Sequence, residues 1–128
     1  MKIITLHILP YEQDLIIVYK AISAKEVTKK IRKIVRKDFT NHIDEELEEY
    51  IHKKIHDNSN ANFIYRDSSR IAIIMLKNDN HATLVHEVCH FVFWLLDTIG
   101  LPLNREYDEA YTYLIANTFK RITRGLDI

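Results

Sequence analysis

Glycine and proline are scarce in this sequence, with two of each in 128 residues. That scarcity excludes collagen-like and Pro/Gly-rich disordered chains, and 47% apolar with 28% charged residues describes an ordinary folded protein. Cysteine occurs once, as Cys89, so no internal disulfide can form and a reducing cytoplasm is the natural setting. Net charge is absent as well. Eighteen basic residues balance eighteen acidic ones, which leaves the whole molecule no electrostatic reason to seek nucleic acid or an anionic membrane. Long apolar runs are missing: FVFWLL is closed off by His90 and Asp97, far short of the roughly 18 residues that span a bilayer. The opening MKIITLHILPYEQD is cut by Pro10, Glu12 and Asp14 and carries no small-residue cleavage pattern, so no secretion signal is read. Neither a repeat nor a low-complexity tract is visible. The expectation is a soluble cytoplasmic protein, one domain over residues 1–128, with one core and about two-thirds of its unfolded surface buried.

What is present reads as short strands alternating with amphipathic helices. Residues 3–9 and 15–22 are β-branched and apolar and are joined by turn-like PYEQD; the second run is apolar on both faces and suits a central strand. Ser23 is a candidate N-cap for a helix to about residue 37, with Val27, Ile31, Ile34 and Val35 at helical spacing. Ile43, Leu47, Tyr50, Ile51 and Ile55 mark a second helix over about 42–56. Polar DNSNAN ends it, and NFIYRDSSRIAIIML follows as two short strands turning at 67–69. Asp79 or Asn80 can cap a long helix that runs to Gly100, with Pro102 just beyond, and a last helix spans about 105–123. The order ββααββαα gives an α+β domain, a small antiparallel or mixed four-stranded sheet with four helices packed on it.

The chemistry is concentrated in LVHEVCH, residues 84–90. On a helix, His86 and His90 lie one turn apart and point the same way, as two imidazoles on one metal must. Projected at about 100° per residue, Leu84, Val85, Val88, Cys89, Phe91, Val92, Leu95, Leu96 and Ile99 fill an apolar arc; Thr83, His86, Glu87, His90 and Asp97 fall opposite. This is H-E-x-x-H, in which two histidines hold zinc and the glutamate activates its water. Cys89 projects to the apolar arc and reads as a buried structural thiol rather than a ligand. A hydrolytic zinc needs a third protein ligand from elsewhere. In REYDEAYTYLIANTF, Glu109 shares a helical side with Tyr113, Ala116 and Asn117, while Leu114, Ile115, Phe119 and Ile122 lie on the core side. Glu109 can therefore face the metal, Glu106 is its rival one turn earlier, and Asp108 points elsewhere.

HEVCH followed by YDEAYTYL resembles the gluzincin class of zinc metallopeptidases, whose third ligand is a downstream helical glutamate. It is closer still to small phage and prophage proteins that carry H-E-x-x-H, an apolar helix ending near a glycine and a D-E-A-Y-x-Y-L-like segment, here HEVCH, FVFWLLDTIG and DEAYTYLIA. The resemblance covers about residues 84–119. It implies a zincin-like fold, zinc held by His86, His90 and Glu109, and Glu87 as general base, but no known substrate; the expectation is a small metallopeptidase acting on a peptide or protein in the cytosol or in a phage-infected cell. Where gluzincins often carry an aspartate four residues after the glutamate ligand to orient a histidine, this chain has Tyr113; Tyr113 or Asp97 is left to take that role. Tyr107, Tyr111, Tyr113, His81 and Arg105 are candidates to stabilise an oxyanion. Zincins commonly pair an extended substrate with an edge strand, and RIAIIML is the expected strand. The competing class is a phage or prophage structural or interaction protein that binds zinc without turnover.

Other signals are weaker. Glu49 and His52 repeat the E-x-x-H of Glu87 and His90, the unit of di-iron carboxylate bundles, but four strands argue against a bundle. His52 and His56 are also one turn apart, with no third ligand evident, and read as a solvated helix end. Lys25, Lys29, Arg32, Lys33 and Arg36 stack on one helical face, where the helix dipole favours cations without any phosphate partner.

Overall fold

The computed structural model describes residues 1–66 and 70–128, so the turn expected at 67–69 lies outside the described residues. Two strands open the chain, β1 (Lys2–Ile8) and β2 (Gln13–Tyr19), followed by helix α1 (Ala24–Ile34). A 3-10 helix at Lys37–His42, which the apolar spacing does not signal, leads to α2 (Glu45–His56). Strands β3 (Ala61–Arg66) and β4 (Ile71–Leu76) come next, then α3 (His81–Thr98) and α4 (Asp108–Leu126).

The four strands form one mixed sheet in the order β1-β2-β4-β3. β1 pairs antiparallel with β2, β2 runs parallel to β4, and β3 returns antiparallel to β4. A parallel pair needs a long crossover, and α1 and α2 supply it. The expectation that RIAIIML is an edge strand is thereby overturned. β4 is central, buried at every position, and the edge beside α3 is β3.

Helices cover both faces of this sheet. Leu15 and Ile17 of β2 join Ala72, Ile74 and Leu76 of β4 in a cluster with α3 and α4; the alternating Ile16, Val18, Ile71, Ile73 and Met75 face α1 and α2. The period of two in a strand splits each apolar run between two cores. One core was expected, and the sheet divides it in two. Local caps hold the helices in place: the Ser23 hydroxyl accepts the Glu26 N–H and the Asp44 carboxylate accepts the Leu47 N–H at 2.9 Å. The Arg32 guanidinium donates to the Ile43 carbonyl at 2.8 and 3.2 Å, so one cation of the basic α1 face is spent tying α1 to the start of α2.

No helix among the described residues is long and apolar enough to cross a membrane.

Candidate metal centre

α3 starts at Asn80, whose side-chain oxygen accepts the Thr83 N–H at 3.1 Å. It ends at Gly100, where φ is +84° and paired bonds run from Gly100 N–H to Asp97 O (3.0 Å) and from Leu101 N–H to Leu96 O (2.9 Å). Only glycine adopts that left-handed closure without cost. Between these ends Leu84, Val88, Phe91, Val92, Leu95 and Leu96 are buried against the sheet. His86, His90, Phe93 and Asp97 are exposed and recur at helical spacing, so they form one row on the opposite side.

Within that row the two imidazoles meet. Nε2 of His90 lies 3.0 Å from Nε2 of His86, with ring centroids 4.7 Å apart and planes at 78°. Two nitrogens bound to one tetrahedral zinc at about 2.05 Å stand about 3.3 Å apart, so a small rotation of either ring admits the ion. Without metal, one Nε2 carries the proton and donates it to the other. Glu87 is half-buried on the shoulder of the same turn. The helix therefore delivers three of the expected groups by local geometry alone.

The third ligand is not delivered in the same way. His81 packs edge-on to Phe119 at 5.3 Å and Phe93 packs against Tyr111 at 5.6 Å, which sets α3 and α4 antiparallel. Glu109 lies in the first turn of α4, two residues before Tyr111. Among the described residues no three His, Cys, Asp or Glu side chains converge on a common point. Glu109 and Glu106 are both exposed, and so is Tyr113, at 71%.

His90 opens into a cleft of about 440 Å³ lined by Phe63, Tyr65, Phe93, Trp94, Asp97, Leu103 and Tyr111. β3 contributes Phe63 and Tyr65, whose rings stack at 5.5 Å and meet Trp94 at 5.9 and 5.5 Å. α4 contributes Tyr111, which is buried and donates its hydroxyl to the Leu101 carbonyl at 2.5 Å. Burial pushes the Tyr111 phenol up, and the Asp97 carboxylate adds to the shift. Of the residues expected to assist the histidines, Asp97 lines this cleft and Tyr113 does not. His81 is held at the other end of α3, its Nε2 3.1 Å from the Ile128 carbonyl oxygen. Cys89 is only half-buried rather than fully buried as expected, and desolvation still pushes its thiol up, which disfavours the thiolate a metal requires.

No protein-family model, curated protein or solved structure matches this chain.

The aromatic wall is what reading the sequence missed. Phe93 and Trp94 were assigned to neither face of α3, although Phe93 follows His90 by three residues and so continues its row. Phe63 and Tyr65 carry no local signal and reach the cleft through the pairing of β3; Tyr111, one of the oxyanion candidates, reaches it through the packing of α4.

Proposed function

We propose that this chain is a small zinc-dependent metallopeptidase of zincin-like fold, acting on peptides or proteins in a bacterial or phage-infected cytoplasm. The observation that carries the reading is the convergence of two imidazole nitrogens, 3.0 Å apart, beside an aromatic cleft and the outermost strand of the sheet. His86 and His90 would hold the ion, and zinc, when bound, supplies a Lewis acid that polarises a carbonyl and acidifies water. Glu87 is the base that accepts the water proton and passes it to the leaving amine. Glu109 is the carboxylate that completes the ligand set. It lies in the exposed first turn of α4, whose N-cap Tyr107 makes no side-chain capping bond. Asp97 is better placed than Tyr113 to orient a ring through the His90 cleft.

The outer edge of β3 suits an extended peptide, whose main chain would continue the sheet. Its side chains would fall alternately toward the aromatic cleft and toward a groove of about 450 Å³ that Glu46, Glu49, Tyr50 and Lys53 line on the α2 side.

Metal analysis and a cleavage assay test the reading together. The wild-type chain should carry a zinc equivalent that His86→Ala removes, and absence of metal from both proteins would sink the site. Glu87→Gln should keep that zinc and lower peptide cleavage about 10²–10⁴-fold. One observation favours a second reading, a zinc-binding phage or prophage structural or interaction protein without turnover: no third ligand converges among the described residues. Zinc binding with no cleavage across a broad peptide library decides for it.

A further inference from the structure

The second histidine pair lies on α2, on the far side of the sheet from the first. His52 and His56 are both exposed, their ring centroids are 4.5 Å apart and their planes are tilted by 58°. The separation is close to the 4.7 Å of His86 and His90. One turn before His52 stands Glu48, so Glu48, His52 and His56 form a single row along the helix. Glu49 flanks that row. All four side chains line one hollow of about 480 Å³ between α2 and the segment that enters α1, with Lys25 across from them. Glu48 is anchored there, because one of its carboxylate oxygens accepts the buried Thr28 hydroxyl at 3.2 Å.

A solvated helix end explains one histidine in the last turn of α2, where a cation meets the helix dipole. It does not explain two imidazoles with ring centroids 4.5 Å apart, with carboxylates beside them and a hollow of ligand size above them. Imidazole nitrogens with a carboxylate form a donor set that suits zinc, nickel and copper. The two carboxylates against one lysine leave the hollow net negative, which favours a cation.

We propose that His52 and His56 form a second transition-metal site, a two-imidazole clamp whose remaining positions water fills, with Glu48 and Glu49 supplying negative charge beside it. The site is independent of the α3 pair, since it uses another helix and the opposite face of the sheet. It makes the chain a carrier of two borderline divalent ions instead of one.

Titration of the full chain with Zn2+, followed by calorimetry, reads both sites at once. Wild type should bind two equivalents, the double variant His52→Ala/His56→Ala one, and His86→Ala/His90→Ala one. Helical circular dichroism identifies a variant that fails to fold; for that case the milder His52→Gln and His56→Gln give the same reading. Addition of Ni2+ should broaden the NMR ring signals of His52 and His56 in the His86→Ala/His90→Ala background. Unchanged stoichiometry in the α2 double variant, or unbroadened rings, overturns the proposal. A single equivalent that the α2 variant abolishes would uphold this site and remove the α3 one.

Discussion

His86 and His90 on α3 stand beside a cleft walled by Phe63, Tyr65, Phe93, Trp94 and Tyr111, whereas His52 and His56 on α2 stand among carboxylates on a face open to water. Both pairs have the same four-residue spacing and nearly the same ring separation. Their surroundings separate them. An ion on α3 would sit next to a strand edge and apolar walls that can seat a substrate and exclude water; an ion on α2 would meet solvent and fixed negative charge. The comparison teaches that a helical turn is enough to bring two imidazoles together, while turnover would need what other elements bring to them.

The largest effect that would sharpen the contrast lies beneath α3. Phe91 is fully buried and meets Phe63 at 5.9 Å. Phe91→Ala should cost about 3–5 kcal/mol in chemical denaturation and weaken metal binding at His86 and His90. The matched change beneath α2, Ile51→Ala, should cost about 2–5 kcal/mol and spare the α3 pair. If Phe91→Ala loosens both pairs equally, the sheet does not insulate one face from the other.

Removing the start of α3 comes next. Asn80→Ala should cost about 1 kcal/mol, because the Thr83 N–H loses its capping acceptor. A hydrogen-exchange experiment should place the lost protection in the first turn of α3, ahead of His86, with α2 unchanged.

The smallest expected effect concerns the end of α2. Asp57 accepts from the Ser59 N–H and hydroxyl and faces Lys77 at 3.3 Å and Lys54 at 3.5 Å. Bonds from Ser59, then the two lysines, hold its carboxyl well below the usual carboxylate range. A folded-state pKa below the unfolded one stabilises the protein above the ordinary value of about 3.9 and loses that contribution as pH falls beneath it. Urea denaturation at pH 7 and pH 3 should therefore differ less for Asp57→Asn than for wild type. An equal pH dependence in both proteins would show that the Asp57 contacts do not reach the folding equilibrium.

Much of the architecture was legible because it is written in local patterns. The N-caps at Ser23 and Asn80 and the stop at Gly100 all act within one turn of themselves, and each is observed. The apolar arc of α3 holds all six buried residues of that helix, but it also took in Val85 and Cys89, which are half-buried, and Ile99, which is exposed. The exposed turn of α4 is different: helical projection offers Glu109 as a residue that can face the metal, but how α4 seats against α3 depends on contacts such as that of Phe93 with Tyr111. β4 shows the same boundary. It was expected at the sheet edge, yet its seat between β2 and β3 comes from a parallel pairing with a strand more than fifty residues earlier. The 3-10 helix at Lys37–His42 has no buried residue to mark it.

The sequence by itself determined both histidine pairs, Glu87 beside one of them and the helices that carry them, because side chains four residues apart on a helix meet whatever the rest of the chain does. Only the tertiary structure decided that one pair borders an aromatic cleft on an edge strand and the other an acidic hollow. It also decided that the sheet carries two cores. Those outcomes rest on strand order and on the level at which two helices pack, and both are set by contacts between residues far apart in the chain.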